Sequence, residues 1–165
     1  MNRIAKFEKV SREQFEKALE GNSLFGGFAA AYDDIKLPER ATSGSAGYDF
    51  YCPFDLSLAP GEAALIPTGI RSRIDEGWVL MMFPRSGLGF KFRVRLNNTV
   101  GVIDSDYYDS DNEGHIMLKI TNEGDKLCEV KSGQGIAQGI FLPYGITADD
   151  SAEGIRNGGF GSTTK

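Results

Sequence analysis

The stretch Ala63-Ala64-Leu65-Ile66-Pro67-Thr68-Gly69-Ile70-Arg71-Ser72-Arg73-Ile74-Asp75-Glu76-Gly77-Trp78-Val79-Leu80-Met81-Met82-Phe83 decides the fold class. It contains three strand-length runs, Ala63 to Pro67, Ile70 to Ile74 and Trp78 to Phe83, with Asp75-Glu76-Gly77 as a turn before the last. The rhythm continues outward: Tyr48 to Cys52 and Leu56 to Leu58 precede it, and Phe92 to Leu96, Ile116 to Thr121 and Gly135 to Phe141 follow. Pro60-Gly61, Asn122-Glu123-Gly124 and Lys131-Ser132-Gly133 punctuate the series. Short strands at a spacing of roughly 8–12 residues predict a sandwich or a barrel. No helix-length periodic segment interrupts them, which disfavours a βαβ sheet.

The flanks read differently. Ser11-Arg12-Glu13-Gln14 is a capping box, with Phe15, Ala18 and Leu19 at helical spacing behind it and Gly21-Asn22 as the stop. One short amphipathic helix is expected there, packed on the domain or covering an edge. From Ala148 to Lys165 the chain is mostly Asp, Gly, Ser and Thr, with Phe160 as its only aromatic residue. Such a tail buries too little apolar surface to order itself, so it is a disordered end or is ordered by something external. At 165 residues the chain fits a single domain, with residues 1–30 as an N-terminal helical extension and 148–165 as a mobile C-terminal arm.

Composition narrows the partners. A hydrophobic fraction of 41% with 25% charged residues suits a soluble globular protein. Twenty-one glycines against six prolines suit an all-β domain or a backbone-lined anion site. The formal net charge is −5 and no two Lys or Arg residues are adjacent, which argues against a nucleic-acid polymer as partner. A small phosphate ligand is still compatible, because backbone N–H groups, a few arginines and a metal ion can offset the charge locally. Cys52 and Cys128 are expected to be reduced packing residues. The first residues lead into mixed charge rather than an apolar run, and Trp78 to Phe83 is far too short to span a membrane. A cytoplasmic, membrane-free protein is expected.

Several chemistries fail on spacing. Asp104, Asp106, Asp109, Asp111 and Glu113 form an acidic cluster, yet an EF-hand started at Asp109 reaches Ile120 where the closing Glu belongs. Started at Asp104, it meets Tyr108 at a ligand position. Asp109 to Glu113 therefore reads as a solvated acidic loop. Gly87-Leu88-Gly89 lacks the third glycine of a dinucleotide fingerprint, and no Gly-Lys-Ser/Thr closes a P-loop. His115 is the only histidine, so zinc spacing is absent and a Ser-His-Asp triad has no supporting context; His115 reads as structural or solvent-facing.

Three segments remain. Pro84-Arg85-Ser86-Gly87-Leu88-Gly89 combines a guanidinium, a hydroxyl and a glycine-freed backbone, a cradle for phosphate oxygens or an ordinary turn. Asn98 to Tyr107 places an amide, an apolar hairpin and the Asp104 carboxylate close together. Arg156 to Thr163 offers a guanidinium, hydroxyls and a ring able to stack on a base.

Over roughly Leu37 to Thr163 the chain resembles the trimeric dUTP pyrophosphatase family in all five of its motifs, in order: Ala46 to Phe50, Pro84 to Gly89, Gly101 to Tyr107 with Asn98 before it, Gly133 to Phe141, and Arg156 to Thr163. The resemblance implies an all-β, jelly-roll type β-barrel, dUTP as substrate, and a homotrimer whose active sites are shared between subunits. It implies that Asp104 activates the water that attacks the α-phosphorus. Arg85, Ser86, Gly87 and Gln138 are implied as phosphate ligands, and Mg²⁺ as cofactor, held mainly by the phosphates and through water by Asp49. Asn98 and the backbone from Gly101 to Ile103 would read uracil, and Tyr107 would pack on the deoxyribose and exclude a 2′-hydroxyl. Phe160 would stack on the uracil, Arg156, Ser162 and Thr163 would hold the terminal phosphates, and the motif as a whole, Gly161 included, would close over the nucleotide.

The chain departs from the family pattern in places. Tyr108 to Glu113 is longer than the usual turn and has no counterpart, and Gly135 and Gly139 stand where Arg and Leu are more usual. Two other functions fit the same fold: a dCTP deaminase, which would carry a Glu where this chain has Val102-Ile103-Asp104, and a nucleotide-sensing module without turnover.

Overall fold

Alternation of apolar and polar side chains sets most strands, because successive residues of a strand face opposite sides. In β3 (Leu56–Leu58) the two leucines are buried and Ser57 is exposed, and β10 (Cys128–Val130) repeats this around Glu129. In β5 (Ile70–Ile74) the isoleucines and Ser72 face inward, Arg73 is exposed and Arg71 half-buried. The structure, a computed structural model of the chain, describes residues 2–20, 32–156 and 158. Its remaining strands are β1 (Ala5–Lys9), β2 (Tyr48–Tyr51), β4 (Ala63–Pro67), β6 (Trp78–Pro84), β7 (Val94–Leu96), β8 (Gly101–Ile103), β9 (Met117–Asn122) and β11 (Gly135–Pro143).

Every strand pair among the described residues is antiparallel. A four-stranded sheet runs β2-β11-β6-β8, a three-stranded sheet runs β4-β9-β7, and two ribbons pair β1 with β5 and β3 with β10. Between them lies one apolar core that includes Phe50, Leu58, Ile66, Leu80, Met82 and Ile120. The architecture is the expected all-β jelly-roll type. β11 breaks strict alternation: Ile136 and Ala137 are both buried, because the register shifts between Gly135 and Ala137.

Five expectations need correction. The segment after Pro84 is a short helix, α2 (Ser86–Phe92), so Phe92 belongs to it and not to β7. The N-terminal extension begins with β1 before the expected helix α1 (Arg12–Glu20), and β1 sets Phe7 edge-on against Tyr48 and Phe50 at 5.3 and 5.5 Å. The apolar hairpin is a crossover: β7 pairs with β9 in one sheet and β8 with β6 in the other. Asp109 to Glu113 is not simply a solvated loop. Ser11 donates its N–H and its hydroxyl to Glu113 at 2.7 and 2.6 Å, and Ser110 is buried. Only half of the capping box is present, the Gln14 N–H donating to Ser11 Oγ at 3.1 Å, since Glu113 holds the other side. The cysteines follow expectation: both are free and buried.

His115 is structural and fully buried. Its Nε2 accepts the N–H of Gly69 at 2.8 Å, which requires the neutral ring. Burial pushes its pKa down to about 4, against the opposing pull of the Glu113 charge. Between about pH 6.5 and 4 the unfolded chain binds a proton that the folded chain refuses, so this contribution is complete above pH 6.5 and disappears as pH falls to 4. The loss should be on the order of 3 kcal/mol. Urea midpoints measured across that range should fall steeply in the wild type and less in His115→Gln; parallel slopes would remove His115 as the cause.

Candidate active site

One group of candidate residues surrounds the crossover from β7 to β8. Thr99 takes φ +65°, its N–H donating to Leu96 O at 2.9 Å, and the Val100 N–H donates to Asn98 O at 2.7 Å. This tight bend turns the chain from one sheet into the other. A cavity of about 520 Å³ opens beside it, with Asn98, Gly101, Ile103, Tyr107 and Arg156 in its wall and Met82 and Leu118 supplying apolar surface. Its size and its few polar groups suit one small ring-bearing ligand.

Asp104 follows directly. Its backbone is extended at the start of a 3₁₀ turn over Ser105–Asp109, and its carboxylate makes no capping bond, so the side chain is available for other work. Arg156 takes it up: Nη2 donates to Asp104 Oδ2, and Nε donates to Asp106 Oδ1 at 2.8 Å. The guanidinium also stands 5.8 Å from the centroid of the Tyr107 ring. Sequence grouped Arg156 with the phosphate ligands. The structure sets it beside the two carboxylates, the negative charges it can pair with.

Tyr107 is buried, and its hydroxyl points away from the cavity, donating to His115 O at 2.9 Å and accepting from Asn112 Nδ2 at 2.8 Å. Burial chiefly raises its pKa, partly offset by the Asn112 hydrogen bond and by Arg156, so the phenol keeps its proton. What it contributes to the cavity is the ring.

The second group is assembled by β11. Gln138 lies opposite Asp49 of β2 on one side and Phe83 of β6 on the other. Arg85, just past β6, brings Nε to 3.4 Å from Asp49 Oδ1. Its seat is Gly135: a Cβ there would lie 2.0 Å from Arg85 Nη1, so the guanidinium occupies the space a side chain would take. Sequence noted Gly135 only as a departure, and no sequence signal tied it to Arg85. Ser86 and Gly87 are exposed in the first turn of α2.

A guanidinium, an amide and a hydroxyl beside one carboxylate make a surface for a polyanion with its cation. Among the described residues no three His, Cys, Asp or Glu side chains gather into a metal cage. The donor set nevertheless fits Mg²⁺, which retains waters and takes one or two carboxylates together with phosphate oxygens. β6 joins the groups, with Met82 opposite Gly101 and Pro84 opposite Ala137. Phe160, Gly161, Ser162 and Thr163 lie outside the described residues.

Comparison with known proteins identifies the family. The family model for dUTPase matches residues 33–164. The deoxyuridine 5′-triphosphate nucleotidohydrolase of Lactococcus lactis subsp. lactis (strain IL1403) is 42% identical over 132 residues, covering 78% of this chain and 88% of its own. That of Escherichia coli O9:H4 (strain HS) is 41% identical over 136 residues, covering 78% and 87%. The crystal structure of dUTPase from Streptococcus mutans superposes with a TM-score of 0.65 at 30% identity, covering 86% of this chain and 97% of its own.

Because the atom that a Gly135 Cβ would displace is the end of a flexible side chain, Gly135→Ala should leave stability nearly unchanged while dislodging Arg85. Calorimetric titration with inorganic tripolyphosphate should then show binding weakened about tenfold. Equal affinity in the two proteins would mean that this seat does not set Arg85 for anions.

Proposed function

This chain belongs to the dUTPase family and is a dUTP diphosphatase, and from that premise we propose how its own residues divide the work. Asp104 is the general base that orients a water and takes its proton as the oxygen attacks the α-phosphorus of dUTP, releasing dUMP and pyrophosphate. The observation that carries this is its position: a carboxylate free of capping duty, immediately after Ile103 of the cavity wall. Arg85, Ser86, Gly87 and Gln138 hold the phosphate chain and supply donors where negative charge develops. Mg²⁺, held by the phosphates and through water by Asp49, would neutralise charge on the triphosphate.

In this reading the 520 Å³ cavity receives the nucleoside. Asn98 and the backbone of Gly101 to Ile103 pair with the uracil edge, and a cytosine would leave a buried mismatch costing about 1–3 kcal/mol. The Tyr107 ring packs on the deoxyribose. Arg156 leaves Asp104 when the triphosphate competes for its guanidinium, and Phe160, Gly161, Ser162 and Thr163 close over the nucleotide. Within one chain the base-side and phosphate-side residues form two groups, which supports a homotrimer whose neighbouring subunits complete each site. A cytoplasmic location accompanies this reading, in keeping with two free buried thiols.

Asp104→Asn should bind dUTP with near wild-type affinity while kcat falls about 10²–10⁴-fold, measured as pyrophosphate release with Mg²⁺ present. A rate close to wild type would assign the base elsewhere. Sedimentation equilibrium should give about three times the 18.0 kDa chain mass; a fully active monomer would contradict shared sites.

A further inference from the structure

The insertion Tyr108 to Glu113 has a use that its acidic composition hides. It is tied down at both ends. Tyr108 donates its hydroxyl to Glu8 of β1, with the guanidinium groups of Arg71 and Arg73 at 4.3 and 4.8 Å from its ring centroid. Glu113 binds Ser11 at the start of α1. The chain then doubles back at Gly114, whose φ is +67° and where a Cβ would lie 2.7 Å from Tyr107 O and from Tyr108 Cα. Only glycine allows that close return.

Inside this loop the Asn112 side chain has one consistent orientation. The Gly114 N–H donates at 3.2 Å and therefore needs the amide oxygen, which leaves Asn112 Nδ2 to donate to the Tyr107 hydroxyl at 2.8 Å. That hydroxyl in turn donates a hydrogen bond to His115 O at 2.9 Å. A swing of the ring toward or away from the cavity would break both bonds and leave the buried Tyr107 hydroxyl unpaired.

We propose that Asn112 is a positioning residue for sugar discrimination: by holding the Tyr107 hydroxyl, it fixes the ring against which a 2′-hydroxyl must be excluded. The inference rests on the reading of Tyr107 as the residue that packs on the deoxyribose. Exclusion of one oxygen atom depends on a ring held to within a fraction of an ångström, and two hydrogen bonds at its far end provide that restraint. The amide never touches the nucleotide; it acts through Tyr107.

The test is a double-mutant cycle on the ratio of kcat/KM for dUTP to that for UTP, in wild type, Asn112→Ala, Tyr107→Phe and the double variant, each checked for folding by thermal melting. Asn112→Ala should lower the ratio about tenfold in the Tyr107 background and leave it unchanged in the Tyr107→Phe background. A purely structural role would lower stability in both backgrounds without this coupling. An unchanged ratio in Asn112→Ala, or equal losses in both backgrounds, would overturn the proposal. Tyr107→Leu separates the premise from the inference. If it preserves the ratio, the sugar-packing reading falls and the inference with it. If it lowers the ratio while Asn112→Ala does not, only the inference falls. Should Tyr107→Leu fail to fold, Tyr107→Phe decides alone, because an unaltered ratio there overturns the restraint.

Discussion

Most of this structure hangs on the double pairing of β11, which hydrogen-bonds to β2 on one edge and β6 on the other. From Ala137 to Gly139 the strand has partners on both sides, so its register there is strongly determined. That register brings together residues far apart in sequence: Asp49 across from Gln138, Phe83 on the other flank, and Arg85 where β6 ends. The shift between Gly135 and Ala137 lets Ile136 and Ala137 both enter the core while Gln138 is set opposite Asp49. The empty side-chain position at Gly135 then becomes the seat of the Arg85 guanidinium. Core and phosphate-side cluster are thus two faces of one strand pairing.

A second constraint is electrostatic and joins the N-terminal segment to the middle of the chain. Burial alone would push the Glu113 carboxyl up, yet hydrogen bonds from Ser11, with the charge of Arg71, hold it below its ordinary value. A carboxylate at the first turn of α1 is also favoured by the helix dipole. Hydrogen bonds from Lys6 and then Tyr108 lower Glu8 to about 2, so this anchor stays ionised across physiological pH. The Glu113 charge of the acidic insertion is therefore in use, and one residue before it the Asn112 amide donates to the hydroxyl of Tyr107, a residue of the cavity wall.

Asp104 illustrates how local geometry keeps a carboxylate out of the backbone network. At the start of a 3₁₀ turn an Asp would ordinarily be drawn into capping, which ties up its oxygens. Here the carboxylate turns to Arg156, a partner on a flexible side chain that another anion can draw away. A carboxylate that is paired with a side chain, and not tied into the backbone network, can be released without unfolding anything, as the role proposed for Asp104 requires.

What the sequence determined by itself was periodic or contiguous. Strands such as Leu56–Leu58 and Ile70–Ile74 were legible from alternation, α1 from its cap and apolar spacing, and the candidate residues from motifs that each occupy a few adjacent positions. These signals survive in one dimension because a side chain's direction follows its position along the element. Only the tertiary structure decided which strands pair, that Val94–Leu96 and Gly101–Ile103 belong to different sheets, and that Arg156 meets Asp104 across fifty-two positions of chain. It alone joined Glu113 to Ser11, Arg85 to the space at Gly135, and Asn112 to Tyr107. Those contacts join groups of matching charge and shape brought together by folding, and nothing in the spacing of the residues encodes which partner each will find.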